Sequence, residues 1–146
     1  MIRPKHILSR RQILVKTEMG VFLLEMTARG LYAVRFPKKA AEKGSLSSLW
    51  RVLRNRKLDL TGYTTFQLKV YAALRKVPSG KVVTYGQLAK RAGYSGAARA
   101  VGSAMKKNRL PIVIPCHRVI KGNGSLGQYS WGIQWKRYLL RGERLF

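Results

Sequence analysis

The chain has 146 residues, with 30 Lys and Arg against 5 Asp and Glu, a formal net charge of +25. Self-repulsion at that charge works against a compact state and implies a polyanionic partner. One cysteine excludes an internal disulfide, and no run reaches the roughly eighteen apolar residues of a membrane span.

Nucleic acid ranks first among polyanions, because neutralising phosphates releases counterions and rewards dispersed Lys and Arg. A membrane surface ranks second, since no long basic amphipathic helix with a bulky apolar face is present. A generally basic proteome is the plain alternative. The start of the chain has no signal-peptide pattern, so the expectation is a soluble, intracellular protein in a reducing compartment.

In chain order, residues 11–36 read as strands. "QILVKT", "VFLLEM" and "LYAVRF" are separated by turns at Glu18–Gly20 and Ala28–Gly30, the pattern of an antiparallel meander. Leu46, Leu49, Trp50 and Leu53 then fall at helical spacing. The character changes near "DLTGYT". The reading is therefore two domains, residues 1–60 (a small antiparallel sheet plus helix) and 61–146 (mainly helical).

The second part opens with an expected helix from Thr65 to Val77, striped by Phe66, Val70, Leu74 and Val77. Thr84 with Gln87 forms a capping-box pattern, and the short helix it starts stops at Gly93. Ser95 is the expected cap of the next helix, residues 95–108. Two short helices joined by a Gly-containing turn match a helix-turn-helix. "PIVIP", Pro111–Pro115, reads as a buried strand. Gly122, Gly124 and Gly127 make a loop, and a last helix runs from about Trp131 to Leu140.

The 95–108 helix carries Arg99, Ser103 and Lys106 outward, and is otherwise small there: Ala97, Ala98, Gly102 and Ser103. A major-groove reading helix carries long hydrogen-bonding side chains near its start; this one does not. Small residues suit the minor groove, about 6 Å wide. A lone Arg99 could enter the base stack there, as wedge residues do in duplex distortion and base extrusion. An Ala-rich helix packed inside the protein, with Arg99 solvated, fits the pattern equally.

Cys116 stands beside His117 in "IVIPCHRVI". A thiolate nucleophile needs a base or cation nearby. Successive strand side chains point to opposite faces, so His117 reaches Cys116 only if the strand ends there, or through a water. A carboxylate could orient the imidazole, and Glu143 is the economical choice, as the one acid after Asp59. A buried, inert cysteine is the plain alternative. With no second cysteine, dithiol–disulfide exchange within the chain is excluded. His6, Cys116 and His117 lack the paired spacing of a zinc site, so no metal and no cofactor are expected.

These residues resemble the O6-alkylguanine-DNA alkyltransferases, the methylated-DNA–protein-cysteine methyltransferases. The resemblance rests on "NRLPIVIPCHRVI", "GQYSWG", "KRYLLRGE", "FQLKVYAALRKVPSGKVVTYGQLA" and "ARAVGSAMKKN", and covers roughly residues 62–145. It implies an α+β fold, with a ribonuclease H-like N-terminal domain and a C-terminal winged helix-turn-helix. It implies irreversible transfer of the alkyl group from O6-alkylguanine to Cys116, once per molecule. His117 would act as base through a bridging water, held by Glu143. Tyr85 would donate to the departing guanine, and Asn108 would hold the turn into the site. Arg99 would fill the stack, with Ser95, Ala98, Ser103 and Lys106 also on DNA. Val119, Tyr129, Ser130 and Trp131 would line the guanine pocket, Trp131 narrowing its mouth against bulky adducts. The implied partner is double-stranded DNA carrying the lesion. No membrane role and a monomer are expected, with cooperation on DNA left open. Trp131 departs from the small residue of several relatives, and Gln128 from a common Asn. A lesion-binding protein without chemistry and a cysteine hydrolase are the competing classes. The presence of Cys116 weighs against the first, and the supply of two histidines against the second.

Overall fold

The computed structural model describes residues 9–39, 41 and 43–143; His6 and Glu42 lie outside them. The chain divides into two compact units, up to Thr61 and from Gly62 onward. Each mixes helix with strand in an α+β arrangement.

In the first unit, β1 (Arg11–Thr17), β2 (Gly20–Thr27) and β3 (Gly30–Arg35) form an antiparallel meander in that order. Gly30 has φ +136°, and a Cβ there would meet the Lys57 carbonyl oxygen at 2.3 Å, so only glycine fits this turn. The close approach lets Leu31 N–H donate to Lys57 O and Asp59 N–H to Leu31 O, each at 2.8 Å. Helix α1 (Ser47–Leu53) lies against β1 with Leu49 and Leu53 buried. Two of the unit's scarce acids are tied to its frame. Buried Glu25 pairs with Arg10 and Arg35. Buried Asp59 accepts from the hydroxyls of Thr27 and Thr61.

The second unit starts with α2 (Thr65–Leu74), whose Thr64 and Gln67 form a reciprocal capping box. It ends three residues before the expected Val77. Lys76 and Val77 hydrogen-bond three residues back rather than four. Pro78 disfavours helical backbone at the residue before it. β4 (Val83–Thr84) leads straight into α3 (Tyr85–Arg91), capped by Thr84 and Gln87. Gly93, at φ +90°, turns the chain out of that helix.

Helix α4 (Ala98–Lys106) begins later than expected. Its N-cap is Ala97, with no side-chain cap, so Ser95 does not start it. Ala97 N–H donates to Tyr94 O, and Gly96 sits at φ +85°. That tight turn delays the helix. Val101, Ala104 and Met105 face inward, and Arg99, Ser103 and Lys106 are exposed.

The Pro111–Pro115 stretch is not a strand. Prolines at both ends remove two ladder donors. The chain folds instead into a tight turn, with Ile114 N–H on Leu110 O at 2.9 Å and Ile112 at φ +73°. A 3₁₀ turn, Cys116–Arg118, follows, then β5 (Val119–Ile120). The last helix, α5 (Ile133–Gly142), starts after Gly132 at φ +100°, two residues beyond Trp131. Among the described residues no helix is long and apolar enough to cross a membrane.

Candidate active site

A two-residue pairing positions the site. β5 runs parallel to β4, Val83 opposite Val119 and Thr84 opposite Ile120. The 3₁₀ turn carrying Cys116 precedes β5, and Tyr85 follows β4, so this pairing brings thiol and phenol to one place. Both line a cavity of about 660 Å³, with Ala98, Arg99, Gly102 and Lys106 of α4, and Lys121, Gln128, Tyr129 and Ser130 of the loop before α5. Small residues on α4 leave the space open: a Cβ on Gly102 would point at the Tyr85 ring, 3.9 Å away.

Cys116 is 4% exposed. Its thiol reaches the Tyr129 hydroxyl at 3.8 Å. Burial pushes the thiol pKa up; the Asn108 amide, the Tyr129 hydroxyl and the Lys136 charge pull it back without cancelling the rise. The resting group is therefore a thiol, and its use as a nucleophile requires a base.

His117 is 2% exposed, and its Nε2 lies 2.9 Å from Glu143 Oε1. Burial raises the Glu143 carboxyl, but hydrogen bonds from His117 and Arg118, and their charge, bring it down to about 2. Burial lowers His117, and the hydrogen bond and charge of Glu143 only partly oppose this. Arg118 already neutralises much of the carboxylate, so a proton on His117 gains little from it. The state at neutral pH is an imidazole donating Nε2–H to a carboxylate. That leaves Nδ1 as a lone pair, buried and without a hydrogen-bond partner among the described residues. His117 makes no direct hydrogen bond to Cys116. The adjacent pair thus diverges, for a reason other than strand alternation: both residues sit on a 3₁₀ turn.

Asn108, 2% exposed, closes the turn before the cysteine. Its Nδ2 donates to Ile114 O, and its Oδ1 accepts from Leu110 N–H, both at 2.9 Å. Tyr85 and Tyr129 are held as neutral phenols, each raised by burial first and by Cys116 second.

The model of "6-O-methylguanine DNA methyltransferase, DNA binding domain" matches residues 65–145, more than half of the sequence. The chain belongs to the 6-O-methylguanine DNA methyltransferase family. It is 55% identical over 83 residues to the methylated-DNA–protein-cysteine methyltransferase of Salmonella typhimurium, covering 57% of this chain and 48% of that one. The matched stretch thus spans about half the length of that curated relative. The crystal structure of Mycobacterium tuberculosis OGT in complex with DNA is similar across 91% of this chain and 92% of that one, with 32% identity and a TM-score of 0.77. Atl1 of S. pombe, solved with damaged DNA containing O6-carboxymethylguanine, matches at 38% identity and TM-score 0.52, covering 56% of this chain and 77% of that one.

Of the residues that the methyltransferase resemblance singles out, Cys116, Tyr85, Ala98, Arg99, Lys106, Tyr129 and Ser130 share the cavity wall. His117 and Glu143 pair behind it, and Asn108 braces its edge. Four residues lie elsewhere. Val119 is fully buried in the β4–β5 pair, away from the wall. Trp131 is not on the wall itself; it stands against the ring of Tyr129, which is, with centroids 5.6 Å apart. Ser95 and Ser103 are exposed and off the wall.

Two residues escaped the sequence reading. Arg118 clasps Glu143, with Nη2 at 2.6 Å and Nε at 3.0 and 3.1 Å, and its Nη1 donates to Val77 O. Lys136, 1% exposed, donates to the carbonyls of Val119 and Leu126. Its spacing four residues before Leu140 puts it on the apolar stripe of α5, a signal that the sequence carried.

Proposed function

We propose that this chain repairs DNA by moving the alkyl group of O6-alkylguanine in duplex DNA onto Cys116, once per molecule. The observation that carries the reading is the buried Cys116 thiol on the wall of a cavity roofed by the bare face of α4, with the His117–Glu143 pair behind it.

His117 takes the thiol proton into its Nδ1 lone pair through one bridging water, while Glu143 fixes the tautomer and Arg118 fixes Glu143. The sulfur attacks the alkyl carbon in line, and the S–C bond forms as the C–O6 bond breaks. Tyr85 donates a proton to the departing guanine, which leaves neutral, and regains one from the His117 imidazolium through solvent, so that only Cys116 ends the reaction changed. The thioether is not hydrolysed, and no second thiol exists in the sequence to take the alkyl on, so the protein is consumed.

The base reaches the cavity by flipping out through the minor groove. α3, its turn and α4 act as a helix-turn-helix within a winged domain, residues 61–146. Ala98 and Gly102 let α4 approach closely, and Arg99 fills the gap in the stack. Lys106 meets the backbone; Ser95 and Ser103 can do so outside the cavity. Residues 1–60 form the N-terminal, ribonuclease H-like domain. The protein works as a monomer on double-stranded DNA within the cell.

The test uses duplex DNA with one labelled O6-methylguanine. One label per chain, mapped to the peptide holding Cys116, is the expected result. Label released as methanol, or several turnovers per chain, rejects the proposal. Replacing Arg99 with alanine should slow repair in the duplex by about tenfold or more, the unstacking cost being a few kcal/mol, while reaction with free O6-methylguanine base stays unchanged. Equal slowing of both would remove Arg99 from the stack.

A further inference from the structure

We propose that Lys121 is a phosphate anchor for the everted nucleotide, gripping a backbone phosphate beside the lesion at the cavity mouth. This rests on the repair reading above and adds a binding residue to it.

Three observations lead there. First, the cavity wall carries three cations, Arg99, Lys106 and Lys121, and no acid. The single acid of the second unit, Glu143, is engaged by His117 and Arg118. The occupant is therefore met by positive charge that nothing in the cavity neutralises. Among the described residues the Lys121 ammonium has no ion-pair or hydrogen-bond partner, and the residue is exposed.

Second, Lys121 is not a loose surface lysine. Its own N–H donates to Ser125 O, and its carbonyl accepts from Gly124 N–H, both at 3.0 Å. Asn123 Oδ1 accepts from both the N–H and the hydroxyl of Ser125. The loop from 121 to 125 is thus closed on itself, and it follows directly from β5, the strand that orients the site.

Third, the stem of Lys121 is laid along the cavity wall by Gly127. A Cβ on Gly127 would meet the Tyr85 hydroxyl at 3.3 Å, Lys121 Cγ at 3.4 Å and Lys121 Cε at 3.8 Å. The bare glycine lets the stem pass close to the backbone, and it sets the Tyr85 hydroxyl and the lysine stem against the same point. The lysine stem and the phenol that is to meet the flipped base thus flank the same glycine. A nucleotide entering with its base in the cavity brings its own phosphates to the rim, where a compact cation on a flexible stem is suited to them.

Arg99 and Lys106 are placed differently. Both stand on α4, which approaches the intact part of the duplex. Lys121 stands apart from α4, on the loop that leaves β5 just past the Cys116 turn, and is the cation assigned to the displaced nucleotide.

The experiment measures single-turnover methyl transfer from duplexes in which one phosphate flanking the O6-methylguanine is replaced by a neutral methylphosphonate, with unsubstituted protein, Lys121→Gln and Lys121→Arg. In unsubstituted protein, neutralising one of the two flanking phosphates should lower second-order transfer by about tenfold, the worth of one hydrogen bond to a charged group. Lys121→Gln should lose about as much on ordinary duplex and nothing further on the neutralised one. Lys121→Arg should restore most of the rate. Reaction with free O6-methylguanine base should be the same for all three proteins. Additive losses from Lys121→Gln and from the methylphosphonate would overturn the assignment, as would a loss confined to a carboxylate-bearing adduct such as O6-carboxymethylguanine. Failure of the repair reading is distinct: unsubstituted protein would then accept no methyl from any duplex.

Discussion

Glu143→Gln is expected to slow alkyl transfer by about 10²–10⁴-fold, the range that general-base assistance supplies, and to destabilise the fold by about 3–5 kcal/mol, as when one member of a buried ion pair is removed. The carboxylate serves two partners. It accepts Nε2–H of His117, which leaves Nδ1 free to receive a proton, and it neutralises Arg118, whose side chain is only 15% exposed. An amide can still accept one hydrogen bond, but it cannot balance Arg118. The amide NH₂ also competes for the wrong face of the imidazole.

The pH dependence separates the two roles. Glu143 lies at about 2 in the folded protein, against an ordinary 4.5. Its contribution to stability is fully present above about 4.5 and is lost as pH falls from there towards 2. His117 works in the same direction: held below 6.5 by burial, it makes proton uptake favour the unfolded chain from about 6.5 downward. Thermal melts from pH 7 to pH 3 should therefore show a falling acid limb in the unsubstituted protein, and a shallower limb below pH 4.5 in Glu143→Gln. Parallel limbs would mean that the carboxylate is not held ionised by His117 and Arg118.

Much of this arrangement was legible in the sequence, and the failures have physical reasons. The meander was readable because apolar runs alternate with Gly turns, and Gly30 is required by the close approach of Lys57. Capping by Thr84 and Gln87 was readable because it is local, three residues apart. The Pro111–Pro115 turn was missed because β-branched residues suggest a strand, while the two prolines, which forbid a ladder, carried the better information. Ser95 was missed as a non-cap because Gly96 allows a turn that propensity alone does not foresee. Beside Cys116, the pairing of His117 with Glu143 was readable by scarcity: one thiol, two histidines and one late acid leave few combinations. Arg118 and Lys136 were hidden by abundance. Among 30 Lys and Arg, nothing local distinguishes a buried cation from a solvated one, except Lys136's place on the apolar stripe of α5.

Lys136→Met should destabilise the protein by about 2–6 kcal/mol while keeping the side chain's volume nearly constant. The loss comes from the carbonyls of Val119 and Leu126, which the ammonium holds at 2.7 and 2.5 Å. Each buried acceptor left without a donor costs about 1–3 kcal/mol. The two carbonyls belong to β5 and to the loop that carries Tyr129, so Lys136 ties α5 to both walls of the thiol's surroundings. Burial lowers its ammonium to about 8, against a partial rise from Cys116, so at neutral pH it is still mainly charged. That charge is one of the influences holding the Cys116 thiol from rising further. Lys136→Met should therefore also raise the pH at which an alkylating probe such as iodoacetamide reacts with Cys116. Lys136→Arg keeps the charge but cannot fit five donors into a space built for one ammonium, and should recover the thiol's pH profile better than the stability. A Met variant as stable as the parent, with an unchanged thiol profile, would show that Val119 and Leu126 find other donors and that the buried lysine is dispensable to the site.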